Sequence, residues 1–526
     1  MLMILILGYV FSGISNNQPI ASQLIGGYNR NQGLLVWVSF TLILIMVLEN
    51  KINAKQFLTF GLNPLLIMAV VYGFIQTLEV DPIIWAESDV VLTLGNSNFA
   101  APLLAILGIY CLSQILETRK KSNLLFYTTS GISTIFLGLE TNTLQYPVLF
   151  LVGILIYLFL YRKNLQRLGL RLSNFVLVFA FVVTTLVAAL KWNIVYSAGN
   201  AIDRIDSIRA GFLVWLDHPI FGVGIEQLFK FSPEFRTQRQ FEAYGSSVVI
   251  DKAHNIFIDH LSNGGVIVGL AVVGYVVWIL TLIFKLNKQQ LSTLQRNRFT
   301  FLSTIWLIWL GQSSIGPDNN LLTLLGIIAA GLLSQIYYSQ KVISTTETRK
   351  TLLNSPKIQD LAIVTLLLIS LFVYSISILS YREAKLVIEN EITGVKQIEK
   401  VINRVPIPKM TEIILVHLIK NQKNCPYMFS LIEDFKEQNL RSSQAYYFSA
   451  ICKSFVKKDK SALNDIELGL KYDPLNINLL IADFRLKYAL SDVDGSKSAL
   501  RKILTLDPKN NLLDGYPDFV LEENTK

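Results

Sequence analysis

The sequence predicts an all-α, polytopic membrane protein with about eleven transmembrane helices, a long outer loop with short helices, and a C-terminal helical domain. Three observations support this prediction. Of the 526 residues, 52% are apolar and only 16% are charged, with a mean hydropathy of +0.45, whereas a soluble domain carries about 25% charged residues. The apolar residues gather in stretches long enough to enter a bilayer. The basic residues gather between those stretches, mainly on one side.

The apolar stretches define the predicted spans. A straight span needs about 20 residues, so the shorter stretches leave helix boundaries open by a few positions. The first stretch lacks the basic flank and small-residue cleavage site of a signal peptide, and we interpret it as a retained span. The eleven stretches are 1–14, 34–48, 57–78, 99–116, 123–139, 146–161, 174–190, 262–284, 299–316, 319–338 and 361–380.

The distribution of basic residues predicts the orientation. With a cytoplasmic N-terminus, the inner loops hold seventeen Lys and Arg residues, whereas the short outer loops hold only Arg30. This asymmetry is the positive-inside rule. The net charge of +9 therefore reflects topology and does not indicate nucleic-acid binding. It places the 191–261 loop and everything after residue 381 on the outer face.

The chain divides into four predicted parts. An N-terminal transmembrane bundle (1–190) precedes the long outer loop (191–261), which carries the candidate site. C-terminal transmembrane helices (262–381) lead to an outer-facing helical tail (382–526). Two Asp-Pro pairs in this tail, at 473–474 and 507–508, are 34 residues apart, the period of a tetratricopeptide repeat.

Residues of the tail fit that repeat in part. Before Pro474, large and small residues fall where two antiparallel helices would pack closely, and the next unit is degenerate. The alternative is a generic helical hairpin domain. Either form suits the binding of a protein partner or bracing of the membrane domain better than catalysis. The four packing positions are Tyr446, Ala450, Ala462 and Ile466.

The three cysteines are only weakly informative. Cys111 lies in a predicted span and fits a packing role. Cys425 and Cys452 share the outer-facing tail, where a disulfide is conceivable and free buried thiols are the alternative.

Residues 201–224 form the first candidate segment of the outer loop. Apolar residues at helical spacing predict an amphipathic helix that ends at His218-Pro219, with Arg204 and Arg209 off the apolar stripe. Gly222 and Gly224 then permit a tight turn with free amides. Arginines and free amides above a membrane suit an anion such as diphosphate; the alternative is a solvated re-entrant helix that ends in a turn.

The second candidate segment lies further along the outer loop and contains two arginines and a histidine. Arg236 and Arg239 could pair with substrate phosphates or with anionic lipid; the alternative is a solvated surface. His254 is a potential proton acceptor, and Asn255 could orient it or the substrate. His260, six residues on, points away on a helix. No metal-ligand pattern is present, because these residues lack the spacing of a helical metal pair.

The order of these segments resembles the O-antigen ligase and O-antigen polymerase superfamily of bacterial membrane glycosyltransferases. "LTLGNSNFAAPLLA" (92–105) is similar to the family's Gly-Asn-x-Asn stretch. "RIDSIRAGFLVWLDHPIFGVG" (204–224) is similar to its Arg-helix-Pro-x-x-Gly-x-Gly segment, and "AHNIFIDHLSNGGVIVGL" (253–270) to its His-Asn and Gly-x-x-Gly-Leu run. With "GQSSIGPDNNLLTLLG" (311–326), the resemblance covers roughly residues 30–340.

The resemblance implies a chemistry and a location. Glycan would pass from a polyprenyl-diphosphate donor to a lipid, glycan or protein acceptor at the outer face of the bacterial cytoplasmic membrane. His254 would act as the base and Arg204 would stabilise the departing diphosphate, with inversion and without metal or nucleotide. One departure stands out: the family's Ser-Arg pair is absent from "GLETNTLQYP" (138–147), where Gln145 could still bind substrate through hydrogen bonds but brings no charge. A small-anion transporter and a non-catalytic scaffold for polysaccharide assembly remain the alternatives.

Overall fold

The computed structural model is all-α over the residues it describes, which are 1–27, 30–85, 89–167, 200–245, 249–342, 356–389, 395–404, 408–420, 422–456 and 461–507. Ten of the eleven apolar stretches coincide with helices, and the stretch 174–190 lies outside the described residues. These helices are Leu2–Ser15, Leu34–Leu48, Ala54–Thr77, Ser97–Glu117, Lys121–Leu139, Gln145–Arg167, Ile256–Lys288, Thr293–Ile315, Asn320–Val342 and Pro356–Ile388.

Membrane insertion follows from the length and composition of these helices. Within the described part of the chain, six helices are long and apolar enough to cross a membrane, while Leu2–Ser15 and Leu34–Leu48 are apolar but shorter. The protein is therefore a multi-pass membrane protein. The count of eleven spans stays a prediction.

Helix Ser97–Glu117 lies at the centre of the membrane domain. It contacts Lys121–Leu139, Gln145–Arg167 and Thr293–Ile315, and its residues from Phe99 to Cys111 are all buried. A helix that is apolar on every face belongs in such an interior position. The side chain of Asn96 caps its first turn by accepting a hydrogen bond from the Asn98 amide at 2.8 Å, which fixes the end of the helix beside which the candidate site lies.

The outer loop forms one main helix, Asn200–Asp217, here called the outer helix, followed by the short elements Leu228–Phe231, Ser232–Phe235 and Gln238–Tyr244. The outer helix ends before Pro219 as predicted. Its apolar stripe does not face the protein, since Ile205 is 62% and Phe212 is 40% exposed. The buried face instead carries Asp206, Ser207, Ala210 and Val214. A stripe that faces away from the protein suits contact with lipid at the bilayer surface.

Two predicted boundaries fall inside helices. Residues 261 and 262 lie within Ile256–Lys288, because Asn255 caps that helix six residues earlier than the hydropathy suggested. Residues 381 and 382 lie within Pro356–Ile388, whose last turn packs Ala384 and Val387 against the tail. The division into four domains therefore stays a prediction.

The tail consists of helices Val395–Arg404, Pro408–Ile419, Cys425–Gln438, Ser443–Val456, Ser461–Tyr472, Ile477–Ala489 and Val493–Leu506. The four packing positions singled out in the sequence are all buried. The starts of helices Ser443–Val456 and Ile477–Ala489 are 34 residues apart, and the assignment to the tetratricopeptide class stays a prediction. The Cys425–Cys452 disulfide joins two helices, with 5.0 Å between the Cα atoms, and Cys111 is a free, buried thiol.

Ion pairs and an aromatic contact hold the tail against the outer loop. Arg236 Nη1 lies 3.6 Å from Asp473 Oδ1 in an ion pair whose side chains are both buried, and Arg441 Nη1 lies 3.5 Å from Glu234 Oε2. The Arg441 guanidinium also stacks over the Phe231 ring at 4.5 Å. The Asp-Pro motif that suggested a repeat thus supplies a carboxylate that contacts the outer loop. The bracing and partner-binding roles of the tail stay predictions.

Candidate functional site

Arg204 is held in place by the glutamine that replaces the expected arginine. Gln145 begins helix Gln145–Arg167 and is buried. Its side-chain oxygen accepts a hydrogen bond from Arg204 Nη2 at 2.8 Å, while its nitrogen donates to Gln312 Oε1 at 3.1 Å and to the Asn98 carbonyl at 2.9 Å. Gln145 therefore orients Arg204, and its own N–H groups donate to acceptors inside the protein. The remaining donors of Arg204 have no hydrogen-bond partner among the described residues, and its predicted role as an anion ligand stays a prediction.

His254 lies next to this arginine, on the loop that enters helix Ile256–Lys288. The outer helix abuts this loop so closely that a Cβ added at Gly211 would lie 2.7 Å from the Ala253 Cβ. His254 adopts a left-handed backbone with φ of 54°, a region that histidine enters more readily than bulky or β-branched residues. Its buried Nδ1 has no hydrogen-bond partner among the described residues.

The electrostatic surroundings keep His254 neutral. Burial lowers its pKa from the ordinary 6.5, and the positive charges of Arg204 and Arg30 lower it further, whereas Asp251 and Asp203 oppose the shift. A neutral imidazole accepts a proton, so this is the form required of a general base. Burial also raises the pKa of the Asp203 carboxyl, against the positive charges beside it.

The residues on both sides of His254 are fixed by buried polar contacts. Lys252 Nζ lies 3.1 Å from Glu226 Oε1 and 3.3 Å from Asp259 Oδ2, and Asp259 also accepts the Ala253 amide at 3.0 Å. Burial alone would lower the pKa of Lys252, but the Asp259 and Glu226 carboxylates raise it above its ordinary value. The ammonium therefore stays charged and ties the loop down.

Asn255 serves as a helix cap. Its side-chain oxygen accepts hydrogen bonds from the amides of Phe257 and Ile258 at 3.0 and 3.1 Å. Its nitrogen donates to the Ser314 carbonyl at 2.9 Å. The residue thus orients His254 through the backbone, and its predicted role toward substrate stays a prediction.

The turn after the outer helix has the predicted conformation but a different purpose. Gly222 and Gly224 have φ of 64° and 105°. Their amides donate to the carbonyls of His218 and Asn263, each at 2.9 Å, so the expectation of free amides is wrong. The Asn263 carbonyl is available because helix Ile256–Lys288 is interrupted at Gly265, which has φ of 67°.

This interruption lets the turn and the helix meet backbone to backbone. A Cβ added at Gly222 would lie 2.6 Å from the Gly264 and Gly265 amides, and one at Gly265 would lie 2.1 Å from the Ile220 carbonyl oxygen. The Val266 amide donates to the Pro219 carbonyl at 2.9 Å. The two family-like glycine segments therefore satisfy each other's backbone groups within the protein, as a membrane environment requires.

The other predicted basic residues have partners inside the protein. Arg239 Nη2 pairs with Asp206 Oδ1 at 2.7 Å, and Arg236 reaches Asp473 in the tail. Arg209 Nη1 donates to the Phe235 carbonyl at 3.2 Å. Their predicted contacts with substrate stay predictions, while their visible role is to shape the outer loop.

His260 does not share the site, in line with the helical spacing. It is buried, its Nδ1 bonds the Tyr9 hydroxyl, and its ring lies edge-on to Trp37. Among the described residues, no group of three or more His, Cys, Asp or Glu side chains is placed to hold a metal ion.

Sequence reasoning missed the ion pair beside His254. Arg30 Nε donates to Asp251 Oδ2 at 2.8 Å, which joins the first outer loop to the histidine segment. The signal was present, because Arg30 is the one basic residue on the short outer loops. Gln312 and the Asn98 carbonyl, the hydrogen-bond partners of Gln145, were also missed, since a partner that lies dozens of residues away along the chain leaves no mark on the sequence.

Comparison with known proteins adds one match. Residues 90–273 match the family model described as O-antigen ligase. This segment includes Gln145, Arg204, the turn at Gly222 and Gly224, and His254. No curated protein matches the chain.

Proposed function

We propose a donor, an acceptor and a mechanism for this chain, which belongs to the O-antigen ligase superfamily through its residues 90–273. At family level it is a membrane glycosyltransferase of the ligase or polymerase type, which acts on lipid-linked glycans in a bacterial membrane. Its donor is a glycan linked to polyprenyl diphosphate. Its acceptor is a hydroxyl group of a lipid, glycan or protein at the outer face of the cytoplasmic membrane.

One observation carries the proposal: the potential base and the potential anion ligand meet in one site. Arg204 comes from the outer helix, and His254 comes from the loop before Ile256–Lys288. Gln145 holds the first, and the buried Lys252 contacts hold the second. A neutral imidazole beside an oriented guanidinium suits transfer from a diphosphate leaving group.

The reaction is a direct displacement at the anomeric carbon. The acceptor oxygen forms the new glycosidic bond as its proton passes to His254. The bond between the anomeric carbon and the diphosphate oxygen breaks, and its electron pair leaves with the diphosphate. Arg204 offsets the negative charge that develops there, and the anomeric configuration inverts.

Two features support an outer-face location for the site and the tail. The inner loops hold seventeen lysines and arginines, whereas the short outer loops hold Arg30 alone, as expected if the inner loops are cytoplasmic. The tail contains the Cys425–Cys452 disulfide, and such bonds are typical of oxidising compartments outside the cytoplasm.

The test is glycan transfer in proteoliposomes. Lipid-linked glycan extracted from the membranes of the host serves as donor, and surface glycolipid from the same cells serves as acceptor. His254→Ala should lower the transfer rate by about 10² to 10⁴, the usual share of general base catalysis. Arg204→Lys should lower it partially, because lysine keeps the charge but loses the planar, two-pronged hydrogen bonding.

His417→Ala is the matched control, since His417 lies in tail helix Pro408–Ile419. It should leave transfer unchanged. His260→Ala is unsuitable for this purpose, because it empties a buried position and strands the Tyr9 hydroxyl. Full activity in His254→Ala would remove the base assignment and favour the transporter or scaffold alternative.

A further inference from the structure

A large cavity lies between the tail and the outer loops of the membrane domain. Its volume is 990 Å³, at the upper end of the roughly 300–1,000 Å³ of typical ligand sites. Arg30 and Asp251 line it, and these two residues also act on the pKa of His254. Phe99 also lines the cavity, and it follows Asn98, whose carbonyl accepts a hydrogen bond from Gln145. The cavity therefore borders the surroundings of the candidate site.

The wall on the membrane side carries a fixed aromatic ring. Trp85 Nε1 donates to Asp81 Oδ2 at 2.9 Å, and Asp81 also accepts hydrogen bonds from Tyr72 and Gln76. The ring lies close against Gly95, where an added Cβ would approach it to 3.4 Å. An immobilised indole offers a flat apolar surface at little cost in side-chain entropy.

The opposite wall comes from the tail and is polar. Gln444, Asn476 and Asn478 line it, from the starts of helices Ser443–Val456 and Ile477–Ala489. Most charged groups around the cavity are paired, as Arg30 is with Asp251 and Lys409 with Glu412. Amide groups opposite an aromatic face suit a ligand with many hydroxyl groups and apolar CH surfaces.

One lysine adds a positive charge to this surface. Lys230 is 7% exposed and lines the cavity. Its Nζ donates to Gln18 Oε1 at 3.1 Å, and no carboxylate among the described residues pairs with it. Burial lowers its pKa to about 8, so most of this lysine is still charged near neutral pH and can attract an acidic group.

We infer that this cavity binds an oligosaccharide, the glycan part of a substrate, between Trp85 on the membrane domain and Asn478 on the tail. The inference rests on the proposed function. It gives the tail a direct part in substrate binding, since the Arg236–Asp473 and Arg441–Glu234 contacts hold its wall in place. The glycan comes from either the donor or the acceptor, because both have the same chemistry.

Equilibrium binding to the full-length protein in detergent tests the inference without turnover. Mild acid releases the glycan from the host's polyprenyl-diphosphate pool for one titration and from its surface glycolipid for the other. Trp85→Ala removes the flat surface, and Asn478→Trp fills space from the opposite wall. Each should weaken binding of one of the two glycans by about tenfold or more, the equivalent of about 1.4 kcal/mol.

Each variant has a matched control that does not line the cavity. Trp215 is a half-exposed tryptophan on the outer helix whose Nε1 also donates a hydrogen bond, so Trp215→Ala should bind as wild type. Asn464 is exposed on tail helix Ser461–Tyr472, so Asn464→Trp should do the same. Gln444→Trp replaces Asn478→Trp if the latter does not elute as a single species.

The outcomes separate this inference from the proposed function. Weaker binding in both cavity variants, with both controls unchanged, supports the cavity even if no transfer is detected. The glycan whose affinity falls identifies donor or acceptor as the source. The inference is overturned if wild-type protein binds neither glycan, or if both cavity variants bind like wild type while transfer proceeds.

Discussion

Replacement of Lys252 by methionine should destabilise the membrane domain and slow transfer, although Lys252 itself touches no substrate in the proposed mechanism. Its side chain is 6% exposed, between Glu226 at 3% and Asp259 at 15%. Methionine is similar in length and apolar, so the substitution removes the charge with little change in volume. It leaves two buried carboxylates without their common counter-ion.

The expected loss of stability depends on the hydrogen bonds that the two carboxylates keep after the substitution. Removing one partner of a buried ion pair costs about 3–5 kcal/mol. Glu226 still accepts hydrogen bonds from the amides of Gly27 and Gln32, and Asp259 still accepts the Ala253 amide. We therefore expect about 3 kcal/mol. At ~2 °C per kcal/mol for a large domain, the unfolding midpoint should fall by about 6 °C.

The assay is thermal unfolding of the purified protein in detergent, together with the transfer assay at a temperature where both proteins are folded. Lys385→Met is the matched control, because Lys385 forms an exposed pair with Glu389 at 55% and 49% exposure. Such surface pairs contribute about 0.5 kcal/mol or less. Equal thermal unfolding midpoints for the two variants would refute the conclusion that the buried ion pairs of Lys252 hold the loop of His254 in place.

Three further predictions follow from the site and the orientation. The transfer rate should rise with pH up to a plateau, with a midpoint below pH 6.5. Burial lowers the pKa of His254, and only the neutral imidazole accepts a proton. A transfer rate that falls over this pH range would contradict the role of His254 as base. Gly222→Ala should reduce the yield of folded protein, measured by size-exclusion of detergent extracts, because its Cβ would meet the backbone at 2.6 Å. Gly245→Ala also carries backbone strain at its φ of 71°, but its Cβ would meet nothing within 4 Å, so it should reduce the yield less. Equal yields would contradict the backbone contact. A cysteine at Glu242, which is exposed, should react with an impermeant thiol reagent in spheroplasts, whereas one at the exposed Gln290 should not; labelling at Gln290 alone would reverse the orientation.

The fold class was predictable because membrane spans are encoded locally. A run of apolar residues marks a helix without reference to its neighbours, and the stretch 34–48 corresponds residue for residue to helix Leu34–Leu48. The position of a helix end was predictable for the same reason, as the end of the outer helix before Pro219 shows. The glycine turn also has its predicted left-handed conformation.

Partners across the fold were not predictable from one sequence. Nothing near Gln145 indicates that it holds Arg204, and nothing near Gly222 indicates that its neighbours bond an interrupted helix 40 residues later. Hydrophobic periodicity located the apolar stripe of the outer helix. The direction in which this stripe faces, however, depends on whether water or lipid surrounds the helix. In water the stripe would face the protein, whereas beside a bilayer it faces outward. The roles of Asn255, Arg209, Arg236 and Arg239 toward substrate remain predictions.

The outward stripe of the outer helix has a consequence for the depth of the site. Ile205 and Phe212 face away from the protein, and an amphipathic helix of this kind settles about 5–10 Å into the boundary between headgroups and acyl chains. Because the same helix carries Arg204, the lipid surface sets the height at which the guanidinium stands relative to the membrane plane. If the donor is the polyprenyl diphosphate proposed above, its diphosphate lies at a height set by that same surface. Arg204 and such a donor then lie at the same level, and a change in bilayer thickness moves both together.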